Sequence, residues 1–285
     1  MSITLRRGTP ADADCCGRIC YDAFTTISTK HNFPPDFPSP DVATGILRWL
    51  FEHPRFYCVV AERDGQIIGS NCLDERDAIA GVGPITVDPA VQNATVGRRL
   101  MQAVLDRAEK QNAAGVRLVQ AAFHNRSLSL YTKLGFDVRE PLACMQGEPM
   151  ERAMPGFEVR AAVLADLEAC NRVCREVHAL ERGNELRDMI EQGMASVVER
   201  GGRITGYAST VGFFGHAVGE TNDDLKALIA ATPAFHGPGF LLPTRNADLF
   251  RWCLENGLRV TQPMTLMSKG PYHPPTAPFL PSITY

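Results

Sequence analysis

The residues best suited to chemistry lie in one stretch, Gln92-Asn93-Ala94-Thr95-Val96-Gly97-Arg98-Arg99. It separates a short strand-like run, Ile85-Thr86-Val87, from a long segment with Val96, Leu100, Val104 and Leu105 at helical spacing. Asp88 and Pro89 end the run, because proline cannot donate to a sheet ladder. A turn at the head of a helix leaves backbone N–H groups unpaired and aimed one way, and the helix dipole adds partial positive charge there. Those are the parts of an anion site, most often for phosphate. Arg98 and Arg99 fall in the first helical turn, where positive charge opposes the dipole. They suit an anion that arrives at that end.

A second cluster runs from Asn125 to Phe136. Asn125 is a good helix N-cap, and Leu128, Tyr131 and Leu134 share a helix face at three-residue spacing. Gly135 is placed to end the helix, and Phe136 opens the next strand.

The elements around these clusters alternate between strand and helix. Ile3–Arg6 reads as a strand. Thr9 or Asp12 caps a helix to about Phe24, with Ala13, Cys16, Ile19, Cys20 and Ala23 inward. Cys16 and Cys20 lie one turn apart, but no histidine joins them nearby, so they read as small core residues rather than metal ligands. His31–Pro40 is too proline-rich for regular structure, and Val42–Phe51 is a second helix. Phe56–Glu62 and Gln66–Leu73 are strands joined by the turn Arg63-Asp64-Gly65. Asp74-Glu75-Arg76-Asp77 reads as a solvated, charged connection. Gly81, Gly83 and Pro84 interrupt the strand Ile79–Val87, which predicts a bulge or a close backbone approach. Helix Gly97–Asn112, strand Val116–Phe123, helix Arg126–Leu134 and strands Phe136–Arg139 and Leu142–Gln146 follow. Pro149–Pro155 reads as a linker.

The first cluster resembles the acetyl-CoA loop of the GNAT superfamily of N-acetyltransferases, Arg/Gln-x-x-Gly-x-Gly/Ala. Gln92 and Gly97 fill its outer positions, and Thr95 stands where the first glycine usually does. Asn125-Arg126-Ser127-Leu128-Ser129-Leu130-Tyr131-Thr132-Lys133-Leu134-Gly135-Phe136 is similar to the second GNAT signature, Asn-x-x-Ala-x-x-Leu-Tyr-x-Lys-Leu-Gly-Phe. The two occur in family order, with a predicted strand between them. The resemblance implies an α/β (α+β) fold, a mixed, mostly antiparallel twisted sheet flanked by helices. It implies a bulged strand that splays to admit the pantetheine arm, with the His31–Pro40 loop as a wall of the acceptor pocket. By the same resemblance Ile85, Thr86, Val87, Gln92, Asn93, Ala94, Thr95, Val96, Gly97, Arg98, Arg99, Asn125 and Tyr131 are expected to bind acetyl-CoA, with no metal.

The C-terminal half repeats the N-terminal half. Arg6, Ala11, Asp12, Cys16, Arg18 and Cys20 recur at a constant offset as Arg160, Ala165, Asp166, Cys170, Arg172 and Cys174. Val60–Gly69 recurs as Val197–Gly206, and Asn125…Gly135-Phe136 as Asn246…Gly257-Leu258, one residue longer. This predicts two GNAT-like domains. Residues 1–148 form an acetyl-CoA-binding domain, residues 156–270 a degenerate copy, and residues 271–285 a proline-rich, extended tail. The second copy's expected loop, Gly215–Asp224, lacks the pattern. It puts Glu220, Asp223 and Asp224 where a pyrophosphate would sit, and Trp252 or Cys253 at the position of Tyr131.

Composition bounds the rest. At 285 residues the chain holds one large domain or two ordinary ones. A net charge of −3 implies no bulk attraction to nucleic acid or an anionic membrane. No apolar run is long enough to span a membrane. Nine cysteines without a Cys-x-x-Cys pair, and no signal-peptide-like start, suit a reduced, cytoplasmic chain, monomer or homodimer.

The expected reaction, on the resemblance, is direct acetyl transfer from acetyl-CoA to a primary amine of a small molecule or amino-acid derivative. Tyr131 would act as general acid toward the leaving thiolate, and a backbone N–H near Val87 would polarise the thioester carbonyl. An amine must be neutral to attack, and its ordinary pKa is about 10.4. Asp74, Glu75 and His124 are therefore the candidate bases. The alternative is a non-catalytic GNAT-fold protein that binds CoA or a metabolite. A tandem enzyme using both halves would need an active C-terminal half, which the sequence does not show.

Overall fold

Internal contacts divide the chain into two units, described in turn. One comprises residues 1–118, 123–136 and Thr284; the other comprises residues 119–122, 137–283 and Tyr285. The computed structural model describes residues 3–91 and 95–285.

In the first unit, β1 (Ile3–Arg7), β2 (Phe56–Arg63), β3 (Gln66–Asp74) and β4 (Ile79–Val82) are successive antiparallel neighbours. The β2–β3 turn puts Asp64 and Gly65 at φ 53° and 78°, the left-handed pair that a tight hairpin turn needs. β5 (Thr86–Val87) continues along β3, while β6 (Gly115–Ala121) runs parallel to β4. On β3, residues Gly69 and Asn71 face α3 (Val96–Lys110), where Asn71 Nδ2 donates to the Leu100 carbonyl at 3.4 Å. The alternate residue Cys72 joins Cys16, Cys20, Leu47, Leu50 and Cys58 in a core under α1 (Ala13–Lys30) and α2 (Pro40–Glu52). The cysteines are core residues, as expected. α1 runs six residues past its predicted end, because Thr25 and Thr26 lower helix propensity by only a few tenths of a kcal/mol each, about what one packed contact offsets. The unit closes with α4 (Asn125–Lys133).

The second unit contains β7 (Asp137–Gln146), one continuous strand where the sequence predicts two. Pro141 does not break it: its residue pair is Thr265 on β13 (Arg259–Lys269), and its carbonyl accepts the Thr244 N–H at 3.0 Å. β7 is antiparallel to β13 on one edge and to β12 (Phe240–Pro243) on the other. The contact division therefore does not follow the predicted boundary at residue 148, since β7 groups with strands from the C-terminal half. The second sheet follows the order β14-β11-β10-β9-β8, with β8 (Glu158–Ala161), β9 (Ser196–Arg200), β10 (Arg203–Ala208), β11 (Ala217–Gly219) and β14 (Phe279–Leu280). α5 (Leu167–His178), α6 (Gly183–Glu191), α7 (Asn222–Ala231) and α8 (Ala247–Glu255) complete it.

The repeated residues take up repeated geometry. Arg6 binds Asp12 through two hydrogen bonds of 2.8 Å and Glu62 through one of 2.8 Å, and the Thr9 N–H donates to Asp12 at 2.8 Å. Arg160 binds Asp166 at 2.7 and 2.9 Å and Glu199 at 2.8 Å, and the Val163 N–H donates to Asp166 at 2.9 Å. Each cluster fastens the first strand of its half to the start of the first helix.

α4 and α8 correct the predicted register of the third repeat. The N-caps are His124 and Asn246, with nearly equal backbone angles. The Phe136 N–H donates to the Tyr131 carbonyl at 3.0 Å, and the Leu258 N–H to the Cys253 carbonyl at 3.1 Å. Asn246 thus matches His124 rather than Asn125, no residue is inserted, and Cys253 alone stands at the Tyr131 position.

Candidate active site

Three elements of the first unit meet at the head of α3. From β3 residue Leu73 to Ser70 is three steps, but their partners Val82 and Thr86 are four apart. The extra residue is the predicted bulge, and Gly83, at φ 145°, lies within it and donates to the Cys72 carbonyl at 2.9 Å. Its effect is to part the sheet. β4 pairs with β6 at Ile79–Gly81, whereas β5 pairs with β3. Thr86 is buried, its hydroxyl 3.4 Å from that of Ser70. The Asp88 N–H donates to the Ile68 carbonyl on β3 at 3.0 Å. Successive N–H groups of an antiparallel strand point to opposite edges, so the Val87 N–H is directed away from β3, toward the parted side.

Gly97 lies beside this strand. A Cβ built on it would stand 3.9 Å from Val87 Cγ2 and 3.7 Å from Leu130 Cδ2 of α4, ordinary contact distances. Packing among the described residues therefore does not require glycine there, although glycine in a helix costs about 0.5–1 kcal/mol relative to alanine. Val96 is buried and Arg98 exposed. Thr95 takes φ 64°, the left-handed region that β-branched residues rarely adopt, which accounts for the glycine of the family pattern at this place. Gln92, Asn93 and Ala94 lie outside the described residues. Arg99 does not stand over the helix head as expected: its guanidinium donates to the Ile3 carbonyl of β1 at 2.6 Å.

On α4, the predicted N-cap Asn125 is the first helical residue, and the cap is His124, whose Nδ1 accepts the Ser127 N–H at 3.1 Å. That bond requires Nδ1 to be unprotonated. Burial lowers the His124 pKa in the same sense. A histidine three residues before a serine at a helix start is the signal that sequence reading passed over. Tyr131 is buried with its ring edge toward Phe136, and burial raises its pKa. Phe33, from the proline-rich loop, stacks on Phe123 beside His124, with ring centres 4.2 Å apart.

The two carboxylates proposed as bases are committed elsewhere. Asp74-Glu75-Arg76-Asp77 is not a solvated turn: Asp74 and Arg76 are 7% and 6% exposed and form an ion pair with N–O distances of 2.6 and 3.0 Å. Glu75 is gripped by Arg107 of α3 through bonds of 2.6 and 2.9 Å. Both read as solvated in sequence because the arginine that buries Asp74 is itself polar, and the partner of Glu75 lies 32 residues away. Among the described residues no group of three or more His, Cys, Asp or Glu is arranged to hold a metal, and no helix is long and apolar enough to cross a membrane.

Residues 22–136 match the profile of the GNAT family of acetyltransferases, across the parted strand, the α3 head and α4. The chain carries a GNAT acetyltransferase domain at residues 22–136. It is an enzyme of the acyltransferase class. An "IAA acetyltransferase" from Azospirillum brasilense is 25% identical over 103 residues, covering 35% of this chain and 67% of the relative. A structure from Pyrococcus horikoshii assigned as an acetyltransferase superposes with a TM-score of 0.74 at 15% identity, covering 94% of this chain and 89% of the other. A GCN5-related N-acetyltransferase from Sphaerobacter thermophilus gives 0.62 at 17% identity, covering 95% and 97%. At these identities the last two likenesses show a shared fold along most of the chain.

Proposed function

We propose that the chain moves an acetyl group from acetyl-CoA to a primary amine of a small molecule or amino-acid derivative. The observation that carries this reading is Gly97. It is a helical glycine where an added methyl would meet only ordinary contacts among the described residues, at the point where β5, α3 and α4 converge. A close backbone approach by a phosphate gives that glycine a reason. Gln92, Asn93, Ala94, Thr95, Val96, Gly97 and Arg98 hold the pyrophosphate, and Asn125 contacts the pantetheine arm, with Ile85 and Thr86 along it.

The Val87 N–H polarises the thioester carbonyl. The amine nitrogen attacks the carbonyl carbon, the C–S bond breaks, and the thiolate takes the proton of the Tyr131 hydroxyl. Burial keeps that hydroxyl protonated until the thiolate forms, as an acid requires. Asp74 and Glu75 are held by arginines and His124 by its cap, so the amine proton passes to water, which returns a proton to the Tyr131 hydroxyl. The stacked Phe33 and Phe123 supply an aromatic wall for the acceptor.

The test is free-thiol release from acetyl-CoA with a panel of amines, together with thermal stability with and without acetyl-CoA. Turnover with some amine, and a stabilisation of about 2.7 kcal/mol at a hundred times the dissociation constant, are expected. A melting temperature unmoved by saturating acetyl-CoA overturns the reading; a shift without turnover supports the non-catalytic alternative.

A further inference from the structure

The second half has a counterpart of the parted strand, and its edge is already occupied. Gly69 and Gly206 are the same position of the repeated segment. Gly69 pairs with Val87, and Gly206 pairs with Gly219. The Asp88 N–H donates to the Ile68 carbonyl at 3.0 Å, and the Glu220 N–H to the Thr205 carbonyl at 2.9 Å. Gly219 therefore stands where Val87 stands in the first half, and its N–H is likewise directed away from the neighbouring strand. There it donates to the Pro278 carbonyl at 3.1 Å. β14 continues the ladder, with Val218 opposite Phe279 and Ala217 opposite Leu280. Phe279 and Leu280 are buried.

Two further differences lie at the adjoining helix. Eight residues, Asp88–Thr95, connect β5 to α3, but only Glu220 and Thr221 connect β11 to α7. No loop remains to cradle a pyrophosphate. The head of α7 is closed by the fully buried Asp224, which accepts from the Thr221 N–H at 2.8 Å and the Thr221 hydroxyl at 2.7 Å, and from the Thr205 hydroxyl. Its charge satisfies the helix end and repels a phosphate.

We propose that Pro278–Leu280 is a built-in occupant of the second half's cofactor edge, and that the chain consequently binds one acyl-CoA, on its first half. The Pro278 carbonyl takes from Gly219 the hydrogen bond that a thioester carbonyl takes from Val87. The count of one rests on the acetyl-CoA reading above; the closure of the second half does not.

Hydrogen exchange of the full chain without ligand tests the closure. The Gly219 amide is expected to exchange as slowly as the core amides of β10, and exchange as fast as in an exposed turn overturns the proposal. Calorimetric titration with acetyl-CoA tests the count. One equivalent is expected for the wild type and none for Gly97→Asp, with exchange at Ala217–Gly219 unchanged by ligand. Two equivalents in the wild type, or binding that survives Gly97→Asp, overturn it. Slow exchange of the β2 and β3 amides in the variant confirms that its first unit is folded, and the wild-type stoichiometry decides the matter without it. A wild type that binds no acetyl-CoA overturns the functional reading, while slow Gly219 exchange still supports closure.

Discussion

Gly97 and Leu130 face one another across the head of α3, with 3.7 Å between Leu130 Cδ2 and the place where a Gly97 Cβ would stand. The gap admits a methyl group without displacing either helix, so stability and binding are expected to move in opposite directions at this residue. Gly97→Ala should stabilise the unliganded chain by up to about 0.5–1 kcal/mol in denaturant unfolding, and weaken acetyl-CoA binding in the same preparation. A variant that is more stable and binds equally well removes the argument for a ligand at this glycine.

The buried hydroxyl of Tyr131 is assigned to proton donation rather than to binding. Tyr131→Phe should lower turnover about 10²-fold or more while leaving acetyl-CoA affinity nearly unchanged. Comparing kcat with the calorimetric dissociation constant checks both statements, and unchanged kcat removes the role.

His124 accepts the Ser127 N–H through Nδ1 and is partly buried, so its pKa in the folded chain lies below the ordinary 6.5. The unfolded chain takes up this proton first. The cap's contribution is therefore complete above about pH 6.5 and is lost as pH falls below it. Asn246 performs the same task in the second half with a side chain that does not titrate. His124→Asn should preserve stability at pH 8 and reduce the loss between pH 7 and 5; equal slopes for both chains would contradict this.

Thr95 holds a left-handed conformation at the start of α3. Thr95→Gly should relieve about 1 kcal/mol of backbone strain, visible as a higher unfolding midpoint in the absence of ligand. A lower midpoint would mean that the threonine side chain stabilises this turn by more than its conformation costs.

The Arg6 guanidinium lowers the Asp12 pKa from 3.8 to about 2. The stabilisation is present above pH 3.8 and lost as pH falls toward 2. Asp12→Asn should reduce the acid dependence of unfolding over that interval, with a small magnitude because the Arg6 side chain is 40% exposed.

Several features were legible in the sequence because local chemistry determines them. The turn Asp64-Gly65 marked the hairpin of β2 and β3, the glycine and proline of Gly83-Pro84 the interrupted strand, and the spacing of Val96, Leu100, Val104 and Leu105 the buried face of α3. The constant offset between Arg6 and Arg160 marked a repeat, and in the structure each arginine reaches its aspartate six residues along the same chain. What lay beyond local chemistry was decided by tertiary structure. The sequence does not reveal that Glu75 meets Arg107, that Arg99 turns to the Ile3 carbonyl, or that β7 takes its partners from the C-terminal half. Nor does it show that Pro278 meets Gly219, 59 positions away. The physical reason is the same in each case. Periodicity and capping are settled by neighbours within about a turn or a hairpin, whereas an ion pair or a strand edge takes whichever distant group the packed fold brings to it.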